Sequence, residues 1–151
     1  MALVSAALTH LVVRWLHVLG MALALGGALF AWLLLGTQTS QATALAVASA
    51  YERLFWGAMG LLVMTGVGNL GTLAPAIPGG EWSATLSGKL LLVVLVVFGS
   101  LVRSLLVVET RRNSATTTAT TDGDGTLRYS YAATVVLLAS VLVFAEVLAH
   151  G

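Results

Sequence analysis

Four stretches of this chain are long, apolar and nearly free of charge, and they limit the fold more than any other feature. The first runs from about His10 to Leu35 and the second from about Glu52 to Leu73. The third runs from about Leu86 to Val108 and the fourth from about Tyr129 to Ala149. Roughly 20 apolar residues in an α-helix cross the hydrocarbon layer, about 30 Å thick. Membrane strands are shorter, about ten residues, and alternate with period two, which these runs do not. Composition decides between a buried core and lipid. The chain is 58% hydrophobic and 9% charged, against about 25% charged in a soluble domain. So few charges cannot cover a surface in water, so most of this surface faces lipid. The expected fold class is an all-α integral membrane protein, one transmembrane domain over residues 1–151. Short connections between neighbouring spans favour an up-down four-helix bundle.

The connections are legible. Residues 36–50, GTQTSQATALAVASA, turn from polar to alanine-rich, so the second helix is expected to start before its apolar run. Pro75, Pro78 and the glycine pair at 79–80 break any helix between the second and third spans, and Trp82 suits a membrane interface. Residues 110–128 form a Thr/Gly/Asp-rich stretch expected to be mobile. The N-terminal MALVSAALTH lacks a basic n-region, and the apolar run after it exceeds a signal-peptide core, so the first span is read as a retained helix. Arg53, Arg111, Arg112 and Arg128 flank the first and third loops, against Arg14 and Lys89 toward the other side. The excess of basic residues predicts those loops in the cytoplasm, with both termini outside, in the plasma (cytoplasmic) membrane.

Several function classes drop out. A net charge of +1 offers no basic stripe for nucleic acid. The absence of cysteine removes disulfides, thiolate metal sites, iron–sulfur clusters and covalent haem attachment. No Ser-His-Asp, Walker or dinucleotide motif is present. The expected partners are the bilayer and a partner membrane or extracytoplasmic copper or redox protein.

Ionisable groups inside spans are costly and face the bundle interior or water. On the first helix, His10, Arg14, His17 and Met21 fall within roughly 60° of one another at about 100° per residue. Ala24 and Ala28 continue that stripe with side chains small enough for close helix approach. His10 and Arg14 also suit a helix start reaching for water, whereas His17 sits about 10 Å deeper. Thr65 and Asn69 share a face of the second helix and suit interhelical hydrogen bonds. Met59 and Met64 read as core filler. Lys89 opens the third span, balanced between facing the site and snorkelling out. Ser100 and Arg103 share its face, with Arg103 expected to snorkel to the cytoplasmic interface. Glu146 and His150 form an i, i+4 pair that also suits a solvated helix end. The polar groups thus gather in the outer half of the bundle, with no comparable cluster expected in the inner half.

Imidazole ligates haem iron, copper or zinc. His10 and His17 lie about 10 Å apart on one helix, so they cannot be the two axial ligands of one iron. Haem b on His17 would take any second ligand from another helix, with His150, Lys89 or a methionine as candidates. Copper(I) accepts His and Met together, which makes His17 and Met21 a candidate pair, with His10 near the mouth. No three-ligand zinc set with an open position is visible.

The segments RWLHVLGMALALGGALF at 14–30, YERLFWGAMGLLVMTGVGNL at 51–70 and WSATLSGKLLLVVLVV at 82–97 resemble the copper-resistance D family of membrane proteins. The likeness covers three of the four helices, and it implies copper handling. The same pattern is similar to the HemJ-type haem proteins, which oxidise protoporphyrinogen. That likeness implies His17 as a ligand and Lys89 as a site residue. The chain departs from that group in lacking a Leu-Pro-Arg stretch after GGALF and in a less basic first loop. Three expectations follow: a copper-handling protein, a b-type haem electron-transfer or oxidase protein, and a non-catalytic membrane subunit.

Overall fold

The computed structural model describes residues 2–37, 40–71, 80–116 and 123–150. They form four helices and, among the described residues, no strand: α1 (Ala2–Leu35), α2 (Gln41–Gly71), α3 (Glu81–Thr116) and α4 (Gly123–His150). Ala7–Leu35, Glu81–Arg112 and Gly125–Leu148 are long and apolar enough to cross a membrane. α2 begins with a polar, alanine-rich third, and Glu52 and Arg53 precede its apolar run. It packs chiefly on α1. The chain is therefore an all-α integral membrane protein.

Local signals set the helix starts. Ser40 precedes α2, and its hydroxyl accepts from the Thr43 backbone N–H at 3.3 Å, which satisfies a donor that the first turn leaves open. The alanine-rich tract after it is helical, so α2 begins well before its apolar run. Gly80 has φ +66° and opens α3 from a conformation that side chains resist. The stretch at 110–128, expected to be mobile, is helical at both ends, where α3 continues to Thr116 and α4 starts at Gly123. Its apolar content explains part of the difference: Leu127 is buried in the core. Residues 117–122 and residues 72–79, with Pro75 and Pro78, lie outside the described residues.

The helices alternate in direction around a ring. α1 packs on α2 and α4, and α3 packs on α4, while α2 and α3 are the loosest neighbours. The α1–α2 contact is close because Ala24, Ala28 and Ala31 present methyl groups only, and all three are fully buried. The Tyr51 hydroxyl donates to the Ala24 carbonyl at 2.9 Å. A Cβ at Gly27 would meet the Tyr51 ring at 2.8 Å, so that crossing requires glycine.

Candidate functional site: an open cavity and a bonded clamp

Two polar regions lie at opposite ends of the bundle. Where α1 and α3 finish, α2, α3 and α4 are joined around Arg103. This side chain is fully buried. Its Nε donates to Glu52 Oε1 at 2.6 Å and its Nη2 to Glu52 Oε2 at 3.4 Å. Nη1 donates to Thr134 Oγ1 at 2.5 Å, and that hydroxyl donates to the Ser130 carbonyl at 2.9 Å. Ser104 Oγ donates to Glu52 Oε2 and accepts from Trp56 Nε1 at 3.1 Å. The Tyr131 hydroxyl points to Glu52 Oε1 at 3.3 Å. The guanidinium carbon stands 4.7 Å from the Phe55 ring centroid, 5.0 Å from Tyr51 and 5.1 Å from Tyr131, within the reach of cation–π attraction.

This cluster corrects two expectations. Arg103 does not snorkel to the interface, and the end of the bundle expected to be empty of polar clusters holds the most fully bonded one. The reason is charge pairing. An ion pair with additional hydrogen bonds can sit in low dielectric where a lone charge cannot. Glu52 was read only as the start of a span, yet an arginine inside an apolar run calls for a carboxylate on a neighbouring helix. Ser100, one turn away on α3, is buried, and its hydroxyl has no hydrogen-bond partner among the described residues.

At the other end a cavity of about 410 Å³ lies among the four helices. His17 and Met21 line it from α1, Met59 and Gly66 from α2, Trp82 and Lys89 from α3, and Leu138 and Ala145 from α4. Its wall is otherwise hydrophobic. His17 is half-buried, and its Nδ1 lies 2.8 Å from Thr65 Oγ1. Thr65 Oγ1 also lies 2.7 Å from the Leu61 carbonyl and 3.3 Å from the Leu62 carbonyl, and the Leu62 carbonyl is a second backbone partner of the imidazole. In the tautomer that donates from Nδ1–H to Thr65, Nε2 carries the lone pair, the usual arrangement of a ligating histidine oriented by an outer partner.

The stripe on α1 therefore divides. His10 and Arg14 are exposed, while His17 and Met21 face the cavity. Lys89 faces the cavity with them. Thr65 makes the interhelical bond expected of it. The methionines of α2 part company: Met59 is buried and lines the cavity, whereas Met64 is 76% exposed and faces outward rather than filling the core. A helical step of five residues separates them by more than a third of a turn. Glu146 is exposed. The side chains of Asn69 and His150 lie outside the described residues. Among the described residues no three His, Asp or Glu side chains gather as a metal cluster. The side-chain donors that line the cavity beside His17 are the thioethers of Met21 and Met59 and the Lys89 amine.

A membrane-embedded antiparallel bundle with a closed ionic clamp at one end and a donor-bearing apolar cavity at the other defines the class. The family model described as Copper resistance protein D matches residues 45–148, well over half the chain, and the protein belongs to that family. The match takes in Met59, Lys89 and the whole clamp, while His10, His17 and Met21 on α1 precede it. No curated protein matches this chain. No solved structure matches it either. These findings carry the copper-resistance D resemblance and not the HemJ-type one.

Proposed function

We propose that this copper-resistance D protein takes up copper(I) in the cavity, with His17 Nε2 and the thioether sulfurs of Met21 and Met59 as ligands. One observation supports the reading above the rest: an imidazole shares a mostly apolar pocket with two thioethers. Thioether and imidazole donors suit Cu(I), which tolerates low coordination and a dry site. Copper is here a cargo. The clamp of bonded side chains around Arg103 fills the far end of the bundle, so the reading is of a receiving site that hands copper to or from a partner membrane or extracytoplasmic protein. The basic residues flanking the first and third loops favour a cavity mouth on the extracytoplasmic side. Cysteines introduced singly into each loop of this cysteine-free chain, labelled from outside, report that orientation.

The test is a Cu(I) titration of the detergent-purified chain against a chromophoric Cu(I) chelator. His17→Ala, Met21→Leu and Met59→Leu are each expected to weaken binding roughly tenfold or more. Met64→Leu, on the outer face, is expected to leave it unchanged. Wild-type protein with no affinity for Cu(I), or affinity indifferent to His17, would sink the reading. An absorption spectrum of the same sample, oxidised and then reduced, decides the alternative of a b-type haem on His17. A Soret band with stoichiometric iron would replace copper by haem as the occupant.

A further inference from the structure

The copper reading leaves Lys89 without a role. Its side chain is half-buried and lines the cavity, yet no carboxylate lines that wall and no described ion pair involves it. An ammonium held against apolar walls inside a membrane span is disfavoured unless it meets a counter-charge. The clamp shows how this chain compensates a buried cation when it has a carboxylate to use: Glu52 sits directly on Arg103. Among the described residues Lys89 has no such partner, which leaves a place for an anionic ligand.

The cavity also opens in a particular direction. α2 and α3 are the loosest neighbours in the ring. Val63, Val67 and Leu90 line the cavity and are nevertheless 53%, 66% and 49% exposed. The apolar wall thus runs without a break from the interior onto the lipid-facing surface. Trp82, one residue into α3, stands at the mouth, and Lys89 lies about 10 Å further along the helix. Beyond Lys89 the lining is Leu90, Val93 and Val96, with no polar group. An anionic head at the level of Lys89 and a hydrocarbon chain running down that row match this order, which is also the orientation of a lipid in the adjacent leaflet. The volume of about 410 Å³ suits one chain entering from the side rather than a whole lipid.

We propose that the gap between α2 and α3 is a binding site for an anionic phospholipid, one acyl chain lying in the cavity and the head group paired with Lys89. The inference does not rest on the copper reading: its test involves no metal, and a deeply inserted chain and a copper ion on His17 would be alternative occupants of one cavity.

The experiment reconstitutes the full chain in phosphatidylcholine vesicles with a rising fraction of phosphatidylglycerol carrying brominated acyl chains, and reads tryptophan fluorescence. Trp82→Phe, measured in parallel, isolates the Trp82 contribution. Trp15→Phe, measured in the same way, isolates Trp15, which is 62% exposed on α1 and reports contact with bulk lipid. The expected result is that Trp82 is quenched saturably, at a mole fraction about fivefold below that needed for Trp15, the preference one lysine gives for an anionic lipid. Lys89→Arg retains the preference and Lys89→Met abolishes it, while quenching of Trp15 stays the same in both and shows that the variants are inserted. Two results would overturn the proposal. One is equal quenching of Trp82 by brominated phosphatidylcholine and phosphatidylglycerol. The other is an undiminished preference in Lys89→Met.

Discussion

The two cations within the apolar run of α3, Lys89 and Arg103, live under opposite regimes. Arg103 is fully buried, shares Glu52 with Ser104 and Tyr131, and is ringed by three aromatic side chains. Lys89 is half-buried and faces a cavity with no carboxylate. Both stand in the same hydrophobic span. The difference lies in what α2 places opposite them: a glutamate at one end, and Met59, Leu62, Val63, Gly66 and Val67 at the other. The same loose helix pair is thus fastened by ionic and hydrogen bonds at one end and left open at the other. One end holds the bundle together, and the other is free to bind.

The comparison breaks most visibly at Glu52. Glu52→Ala leaves a buried guanidinium without its carboxylate and is expected to destabilise the fold by about 3–5 kcal/mol, read as thermal unfolding in detergent. Glu52→Leu combined with Arg103→Met should recover most of that loss, because the desolvation of both charges disappears with them. If the double variant unfolds as early as the single one, the clamp matters through its shape and not its charge.

A smaller effect is expected at the tight α1–α2 crossing. Gly27→Ala drives a methyl group into the Tyr51 ring and should destabilise by about 1–3 kcal/mol. Gly60→Ala, with nothing within 4 Å of the added carbon, is expected to stay within about 0.5 kcal/mol of wild type. Equal losses at the two positions would mean that the crossing is less tight than the contact with Tyr51 implies.

Within the clamp, Tyr131→Phe removes one hydrogen bond to the Glu52 carboxylate. A loss of about 1.5 kcal/mol is expected, and chemical denaturation of the paired proteins measures it. Among the hydrogen-bonded positions, the smallest effect on stability belongs to the open end. His17→Ala removes one interhelical hydrogen bond, to Thr65, and should change stability by about 1 kcal/mol or less, while copper(I) affinity falls by the larger factor given above. A His17→Ala variant as unstable as Glu52→Ala would erase the division into a structural end and a binding end.

Much of the candidate site could be read from residue spacing. The i, i+4 relation between His17 and Met21, and the position of Lys89 at the opening of the third span, came from helical geometry alone. The stripe could not say where it would turn from exposed to buried, because that depends on how far the neighbouring helices reach; here His10 and Arg14 stay outside while His17 and Met21 go in. Met59 was missed as a cavity residue and Met64 was taken for core, because the two differ only in which side of α2 meets the bundle. The Arg103–Glu52 pair was missed because its partners are 51 residues apart in the chain. The available signal was an arginine inside an apolar run and a carboxylate early in the adjacent helix.

The sequence by itself determined that this chain is helical and membrane-embedded, because long uncharged apolar runs have no other stable arrangement in water or lipid. It also determined where those runs break, through Pro75, Pro78, Gly80 and the polar stretch before Ser40. Only the tertiary structure decided which helix pair would stay loose, which cation would be neutralised and which left facing a cavity. Those outcomes depend on the rotation of each helix about its own axis. That rotation is set by packing between helices, in contacts such as Ala24 against Tyr51 and Arg103 against Glu52, and no single span contains the information to fix it.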